Sequence, residues 1–233
     1  MIEVVSFDVW NTLLDLQYFY EVIGEVLSRK FVKMSQDKIV EKIREKHNLL
    51  KKLKIEGKVE DSDIVEYSLK ELSKGFGITV EDLTSAINTA MDEVDPNRLV
   101  IGGVRTVLER LRVSGVKMGI LGNVLFWHSG VTKNLLMRGD ILKFFQVSFF
   151  ADEIGFSKPD PRAFAKVSET FNVAPDKIAH VGDSLREDVG GALISGLVAV
   201  GILKEFKENV RIEGQLYIVN SIAEVPEIIL SLR

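Results

Sequence analysis

Asp8 closes an apolar, β-branched stretch, Ile2-Glu3-Val4-Val5-Ser6-Phe7, that reads as a buried strand. A carboxylate at the tip of such a strand is poor packing material but well placed for chemistry, because open α/β sheets bind their ligands at strand ends. Two further stretches end in the same way. Residues 116–121 run into Gly122-Asn123, and residues 177–181 run into Gly182-Asp183-Ser184, with Asp188 close behind. Lys158 stands in the loop Ser157-Lys158-Pro159-Asp160-Pro161, directly ahead of a helical pattern. If the strands are parallel, their carboxyl ends share one edge, and these groups meet although they are far apart in sequence. The acids there outnumber the single lysine. Their mutual repulsion calls for a cation, and oxygen ligands of this kind suit Mg²⁺.

The remaining sequence supplies elements that can bring those ends together. From residue 15 to about residue 95, apolar side chains recur at helical spacing, as in Val22, Ile23, Val26 and Leu27 or Ile39, Val40, Ile43 and Leu50. Four helices are expected, near 17–32, 36–54, 61–75 and 79–94. Ser35 is expected as an N-cap, and Thr79 with Asp82 as a capping box. Strand signals are nearly absent, so this stretch reads as a helical insert. After Pro96, helices at 103–114, 130–138, 161–171, 187–195 and 222–232 alternate with strands at 116–121, 147–150, 177–181, 198–202 and 216–219. Such alternation implies a parallel sheet covered on both faces. Asn172 is placed to stop a helix, and Asn11 to adopt a left-handed backbone.

Composition narrows the function classes. The 233 residues are 46% apolar and 27% charged, as in ordinary globular proteins. With 30 basic and 34 acidic residues the net charge is -4, which argues against nucleic acid as a partner. Cysteine is absent, so disulfides, thiolate metal sites and thiol nucleophiles are excluded. The three histidines, His47, His128 and His180, are scattered, and His180 reads as a structural histidine within a strand. No secretory pattern opens the chain and no apolar run has the length of a membrane span, so a cytoplasmic location without membrane contact is expected.

Four motifs in order carry a family resemblance: Asp8-Val9-Trp10-Asn11-Thr12-Leu13, Gly119-Ile120-Leu121-Gly122-Asn123, Lys158-Pro159-Asp160-Pro161, and His180-Val181-Gly182-Asp183-Ser184-Leu185-Arg186-Glu187-Asp188. The chain resembles the haloacid dehalogenase-like hydrolase superfamily over its whole length. That resemblance implies a Rossmann-like three-layer α/β core with a parallel sheet, residues 1–15 and 96–233, and an inserted α-helical cap domain, residues 16–95. It implies that Asp8 is a nucleophile forming a covalent aspartyl intermediate, with Lys158 balancing its charge. Thr12, Gly122, Asn123 and Trp10 fall at substrate-binding positions, the first through its hydroxyl and the second motif through backbone N–H groups. Asp8, the main-chain carbonyl of Trp10, and Asp183 would hold Mg²⁺, with Asp188 behind them. The implied partner is a small-molecule phosphate ester, and the implied assembly a monomer or homodimer.

Two positions depart from the phosphatase pattern. Phosphatases of this family place a second Asp two residues after the nucleophile as general acid and base, where this chain has Trp10. They also place Ser or Thr where it has Gly122. An aromatic residue at the first position resembles the metal-free 2-haloacid dehalogenases, whereas Asp183 and Asp188 keep the Mg²⁺ phosphatase pattern. The favoured expectation is a Mg²⁺-dependent phosphatase, because an uncompensated carboxylate beside the nucleophile would repel a haloacid. The alternatives are the dehalogenase and a catalytically weak binding protein on the same scaffold. Phe126, Trp127 and His128 either line a pocket mouth or pack in an aromatic cluster. Arg29 and Arg44 either bind anions or face solvent.

Overall fold

The short β-branched runs become strands of one sheet. The computed structural model describes residues 1–206 and 208–233. Strands β1 (Val4–Phe7), β2 (Lys117–Gly122), β3 (Val147–Phe150), β4 (Ile178–Gly182), β5 (Val198–Ile202), β6 (Val210–Ile212) and β7 (Leu216–Val219) are ordered β3-β2-β1-β4-β5-β7-β6. All neighbours are parallel except β6 and β7. The chain steps from β1 outward to β2 and β3, then returns to β4 on the other side of β1. That reversal opens a crevice at the carboxyl ends of β1 and β4, where doubly wound sheets bind ligands. Register sets Phe7 level with both Ile120 and Val181, so the residues that follow β1, β2 and β4 emerge at similar heights.

The helices are α1 (Leu16–Lys30), α2 (Gln36–Ile55), α3 (Ile64–Phe76), α4 (Val80–Glu93), α5 (Pro96–Leu99), α6 (Val104–Val113), α7 (Ser129–Arg138), α8 (Ala151–Ile154), α9 (Pro161–Phe171), α10 (Gly191–Ile194) and α11 (Val225–Ser231). On one face of the sheet Val4, Leu121 and Ile178 pack with Phe164 and Val167 of α9 and with Ala192 of α10. Strand alternation turns Val5 and Phe7 to the other face. The four expected insert helices form, each displaced by no more than a few residues at its ends. Thr79 and Asp82 make the expected reciprocal capping box, while Ser35 occupies its N-cap position without a side-chain cap bond. Asn172 ends α9 in the left-handed conformation at φ 52°.

The region expected as a helix over 187–195 is instead one π-turn, Leu185–Gly190, followed by the four-residue α10. Wide turns of this kind re-aim side chains and concentrate at functional sites. Strand β6 is not expected from the sequence; Val210-Arg211-Ile212 alternates, but three exposed residues are too short a run to stand out.

The chain divides into two compact units, Met1–Leu14 with Val100–Asn123 and Asp140–Arg233, and Asp15–Leu99 with Val124–Gly139. The helical unit is therefore larger than the expected insert of 16–95. Its second segment joins it because Phe126 packs on Tyr20 at 6.2 Å and Trp127 packs edge-on to Phe19 at 5.1 Å. Among the described residues, no helix is long and apolar enough to cross a membrane.

Candidate active site

The sheet holds Asp8 in place by its backbone. The Asp8 N–H donates to the Val181 carbonyl at 2.8 Å, extending the β1–β4 ladder one residue past β1. The chain then curls tightly: the N–H groups of Leu13 and Leu14 both donate to the Val9 carbonyl, and that of Asn11 donates to the Leu14 carbonyl at 2.7 Å. Asn11 makes the curl possible at φ 62°, a conformation Asn tolerates better than most residues. Trp10 is half-buried on this curl. Thr12 is buried, and its Oγ1 has no hydrogen-bond partner. A buried hydroxyl left unpaired costs free energy, so this one stands out within the curl.

Lys158 joins the strand ends into one cluster. Its side chain is 1% exposed, and its Nζ donates to Asp8 Oδ1 and to Asp188 Oδ1, both at 2.7 Å. Asn123, after β2, clamps the Lys158 backbone from both sides: its Oδ1 accepts from the Lys158 N–H at 2.9 Å, and its Nδ2 donates to the Lys158 carbonyl at 3.1 Å. The amide of Asn123 is thus used to hold the lysine. Asp188 is fixed by more than the lysine. Its Oδ1 also lies 3.0 Å from His180 Nε2, and its Oδ2 accepts from the Ser184 N–H at 2.9 Å.

Glycine ends two of these strands where a side chain would have no room. A Cβ on Gly182 would come within 2.2 Å of Asp188 Cγ, so only glycine lets the carboxylate lie against the strand end. At Gly122 a Cβ would meet the Phe150 ring at 2.7 Å. The space that a Ser or Thr side chain would need at this position is filled by its register partner on β3.

Asp8, Asp183 and Asp188 each present an oxygen within 4.8 Å of the others. Burial, and then the neighbouring carboxylates Asp188 and Asp183, outweigh the Lys158 ammonium and push Asp8 up to about 7. Burial also works against ionised Asp188, but the Lys158 charge and the His180 hydrogen bond overcome it and hold that carboxyl below the usual range. For Lys158, burial is outweighed by the two carboxylates, which raise it. A set of clustered hard oxygen ligands with too few cations fits a small divalent ion such as Mg²⁺. Asp188 already accepts from three donors, so Asp8 and Asp183 are the better direct ligands.

Sequence reasoning missed two participants. Ser6 lies beneath Asp8 on β1, and its Oγ is 2.8 Å from His180 Nδ1. Glu187, on the π-turn, accepts a long bond of 3.4 Å from Asn123 Nδ2. Neither stands out in sequence, since a serine within an apolar run carries no signal of its own. The other candidates resolve within the helical unit. Phe126 and Trp127 form an aromatic cluster with Phe19, Tyr20 and His47, in which the Tyr20 hydroxyl lies 2.6 Å from His47 Nδ1. Arg29 pairs with Glu93 at 2.6 Å, and Arg44 donates to Gln17 Oε1 at 2.6 Å. His128 is the cap residue ahead of α7.

The family model described as haloacid dehalogenase-like hydrolase matches residues 2–196. A glyceraldehyde 3-phosphate phosphatase of Methanopyrus kandleri is 34% identical over 98 residues, 41% of this chain and 40% of that protein. The chain thus matches about two fifths of that curated relative's length. A HAD-hydrolase of Bacillus subtilis, solved bound to magnesium, superposes with a TM-score of 0.76 at 20% identity, covering 98% of each chain. The L-2-haloacid dehalogenase of Xanthobacter autotrophicus superposes with a TM-score of 0.74 at 17% identity over 100% of both chains. These two likenesses establish the fold.

Proposed function

The chain belongs to the haloacid dehalogenase-like hydrolases, and from that premise we propose that it is a Mg²⁺-dependent phosphatase acting on a small phosphate ester. The observation that supports this reading most is the convergence of Asp8, Asp183, Asp188 and Lys158 at one sheet edge, three acids to one lysine. A carboxylate substrate would meet net negative charge there unless a cation intervened, whereas a phosphate ester is the natural ligand of a Mg²⁺ and lysine site. The proposal includes the domain reading, a catalytic core of 1–15 and 96–233 with a cap inserted at 16–95, and a cytoplasmic location.

In this mechanism Lys158 holds Asp8 Oδ1, and Oδ2 attacks phosphorus. The ester P–O bond breaks, its electron pair leaves with the alcohol oxygen, and that oxygen takes a proton from solvent water. A second water then attacks phosphorus and gives up a proton to solvent, the bond to Asp8 breaks, and phosphate departs with the carboxylate restored. Asp8, Asp183 and the Trp10 carbonyl would hold Mg²⁺, with Asp188 behind; when bound, the ion neutralises phosphoryl charge and keeps Asp8 ionised. The Thr12 hydroxyl and the backbone N–H groups near Gly122 and Asn123 would bind phosphoryl oxygens, and Trp10 would border the substrate. Trp10 cannot donate a proton. General acid catalysis is worth about 10²–10⁴ in rate, so roughly 3–5 kcal/mol of help is missing for poor leaving groups. The enzyme is therefore expected to favour esters whose alcohols leave readily.

Trp10 is also the observation that favours the second reading, a metal-free 2-haloacid dehalogenase. One screen separates the two: a panel of phosphate esters and 2-haloacids, each with Mg²⁺ and with EDTA. Phosphate release that needs Mg²⁺ supports the proposal; halide release in EDTA replaces it.

A further inference from the structure

We infer that Ser6 and His180 are positioning residues of the hydrolytic site, forming a buried strut that fixes Asp188 and, through it, holds Lys158 against Asp8. The inference rests on the reading of Asp8 as nucleophile and Lys158 as its partner. Ser6 and His180 are register partners on the adjacent parallel strands β1 and β4. Both are buried, in strands otherwise built of Val, Phe, Ile, Ala and Gly. Polar side chains in such strands cost free energy unless bonded, and an apolar pair of the same shape would serve stability equally well. Stability alone therefore does not account for this pair.

The bonding pattern gives the pair a direction. An ionised carboxylate can only accept hydrogen bonds, so the proton facing Asp188 Oδ1 sits on His180 Nε2. The neutral ring then leaves Nδ1 to accept from the Ser6 hydroxyl at 2.8 Å, and that bond selects the tautomer. Phe164 meets the imidazole edge-on, with ring centres 5.1 Å apart and planes at 85°, and fixes its plane. Asp188 is consequently held at both oxygens, by His180 and Lys158 on one and by the Ser184 N–H on the other. Without the His180 donor, Asp188 can rotate, and the Lys158 ammonium follows it away from the 2.7 Å contact with Asp8. Partners standing behind site residues in this way are worth about 10–100-fold in activity or ion affinity.

The test uses the full chain with Mg²⁺ and para-nitrophenyl phosphate, and compares His180→Phe, His180→Gln and Ser6→Ala with the parent. His180→Phe fills the space without a donor and is expected to lower kcat by about 10–100-fold while KM changes by less than about threefold. His180→Gln keeps an N–H near the Nε2 position and should recover most of that loss, with Ser6→Ala falling between. Equal losses in the Phe and Gln variants, or parental kcat in the Phe variant, overturn the inference. Imidazole ¹⁵N NMR of the histidine-labelled parent is a second measurement, and it needs neither turnover nor a foldable variant. The expected signature is a proton on His180 Nε2 and a bare Nδ1, and the opposite tautomer overturns the strut. A parent that cleaves no phosphate ester fails the functional reading instead, and the NMR result still decides whether Ser6, His180 and Asp188 form the strut.

Discussion

Two histidines, one in each compact unit, have the same hydroxyl contact and different surroundings; His180 is buried and His47 half-buried. His180 and His47 each lie within hydrogen-bond distance of a hydroxyl through Nδ1, from Ser6 in one and Tyr20 in the other. Burial lowers the pKa of both. The far nitrogen of His180 faces Asp188, a member of a network of carboxylates around one buried ammonium. His47 lies among the rings of Tyr20 and Phe126. What separates a candidate positioning residue from a packing residue is thus the next contact outward, and that contact is set by the fold. In the sheet unit, strand ends and a π-turn deliver acids to one point; in the helical unit, amphipathic helices deliver aromatic rings.

The largest expected break in this contrast comes from Lys158→Met. It leaves Asp8 and Asp188 buried together without their cation, and removing one partner of a buried ion pair costs about 3–5 kcal/mol. Urea unfolding at pH 7 without Mg²⁺ measures the loss. Stability within about 1 kcal/mol of the parent, on the order of an ordinary surface change, would mean the cluster is not held by this charge.

Trp10→Asp sharpens the same region in the opposite sense. It places a proton donor two residues after Asp8, and a gain of up to about 10²-fold in kcat/KM is expected for an alkyl phosphate, with little for an aryl one. A well-folded variant that gains nothing on the alkyl ester would show that Trp10 has another task, and would advance the dehalogenase reading.

The smallest effect belongs to the helical unit. Burial, with Lys51 adding to it, pushes His47 down to about 4 from the usual 6.5. Its neutral form is favoured in the folded protein, so its contribution to stability is complete above pH 6.5 and is lost as the pH falls towards 4. His47→Gln should therefore lose less melting temperature than the parent between those two pH values. It should also cost about 1 kcal/mol at pH 7 by weakening the bond to Tyr20. Parallel melting curves across the acid range would contradict the assignment.

Much of this contrast was legible in the sequence, for physical reasons. Strand ends are visible because a β-branched run that stops at Asp8, Asn123 or Asp183 announces both the strand and the exception to it. Parallel order follows from alternation, and sheet topology does the rest. The capping box at Thr79, the left-handed turn at Asn11 and the helix stop at Asn172 are local, so they can be read locally. The Ser6–His180 pair is not local: its members are 174 residues apart and each alone resembles a tolerated polar residue in a strand. The complement of Gly122 and Phe150 is hidden in the same way, since a missing hydroxyl is visible in sequence and the ring that fills its space is not. The π-turn at Leu185–Gly190 carries Asp188, whose contacts with Lys158 and His180 join distant parts of the chain and so leave no local mark in the sequence.

In the proposed mechanism Asp8 takes the phosphoryl group. Rapid acid quench of the Mg²⁺-loaded enzyme turning over para-nitrophenyl phosphate, followed by peptide mass mapping, tests it directly. One added phosphoryl group is expected, confined to the peptide carrying Asp8 and absent from Asp8→Asn, whose turnover should fall by about 10⁴-fold or more. Undiminished turnover by Asp8→Asn, or a phosphoryl group mapped to any other residue, would contradict it.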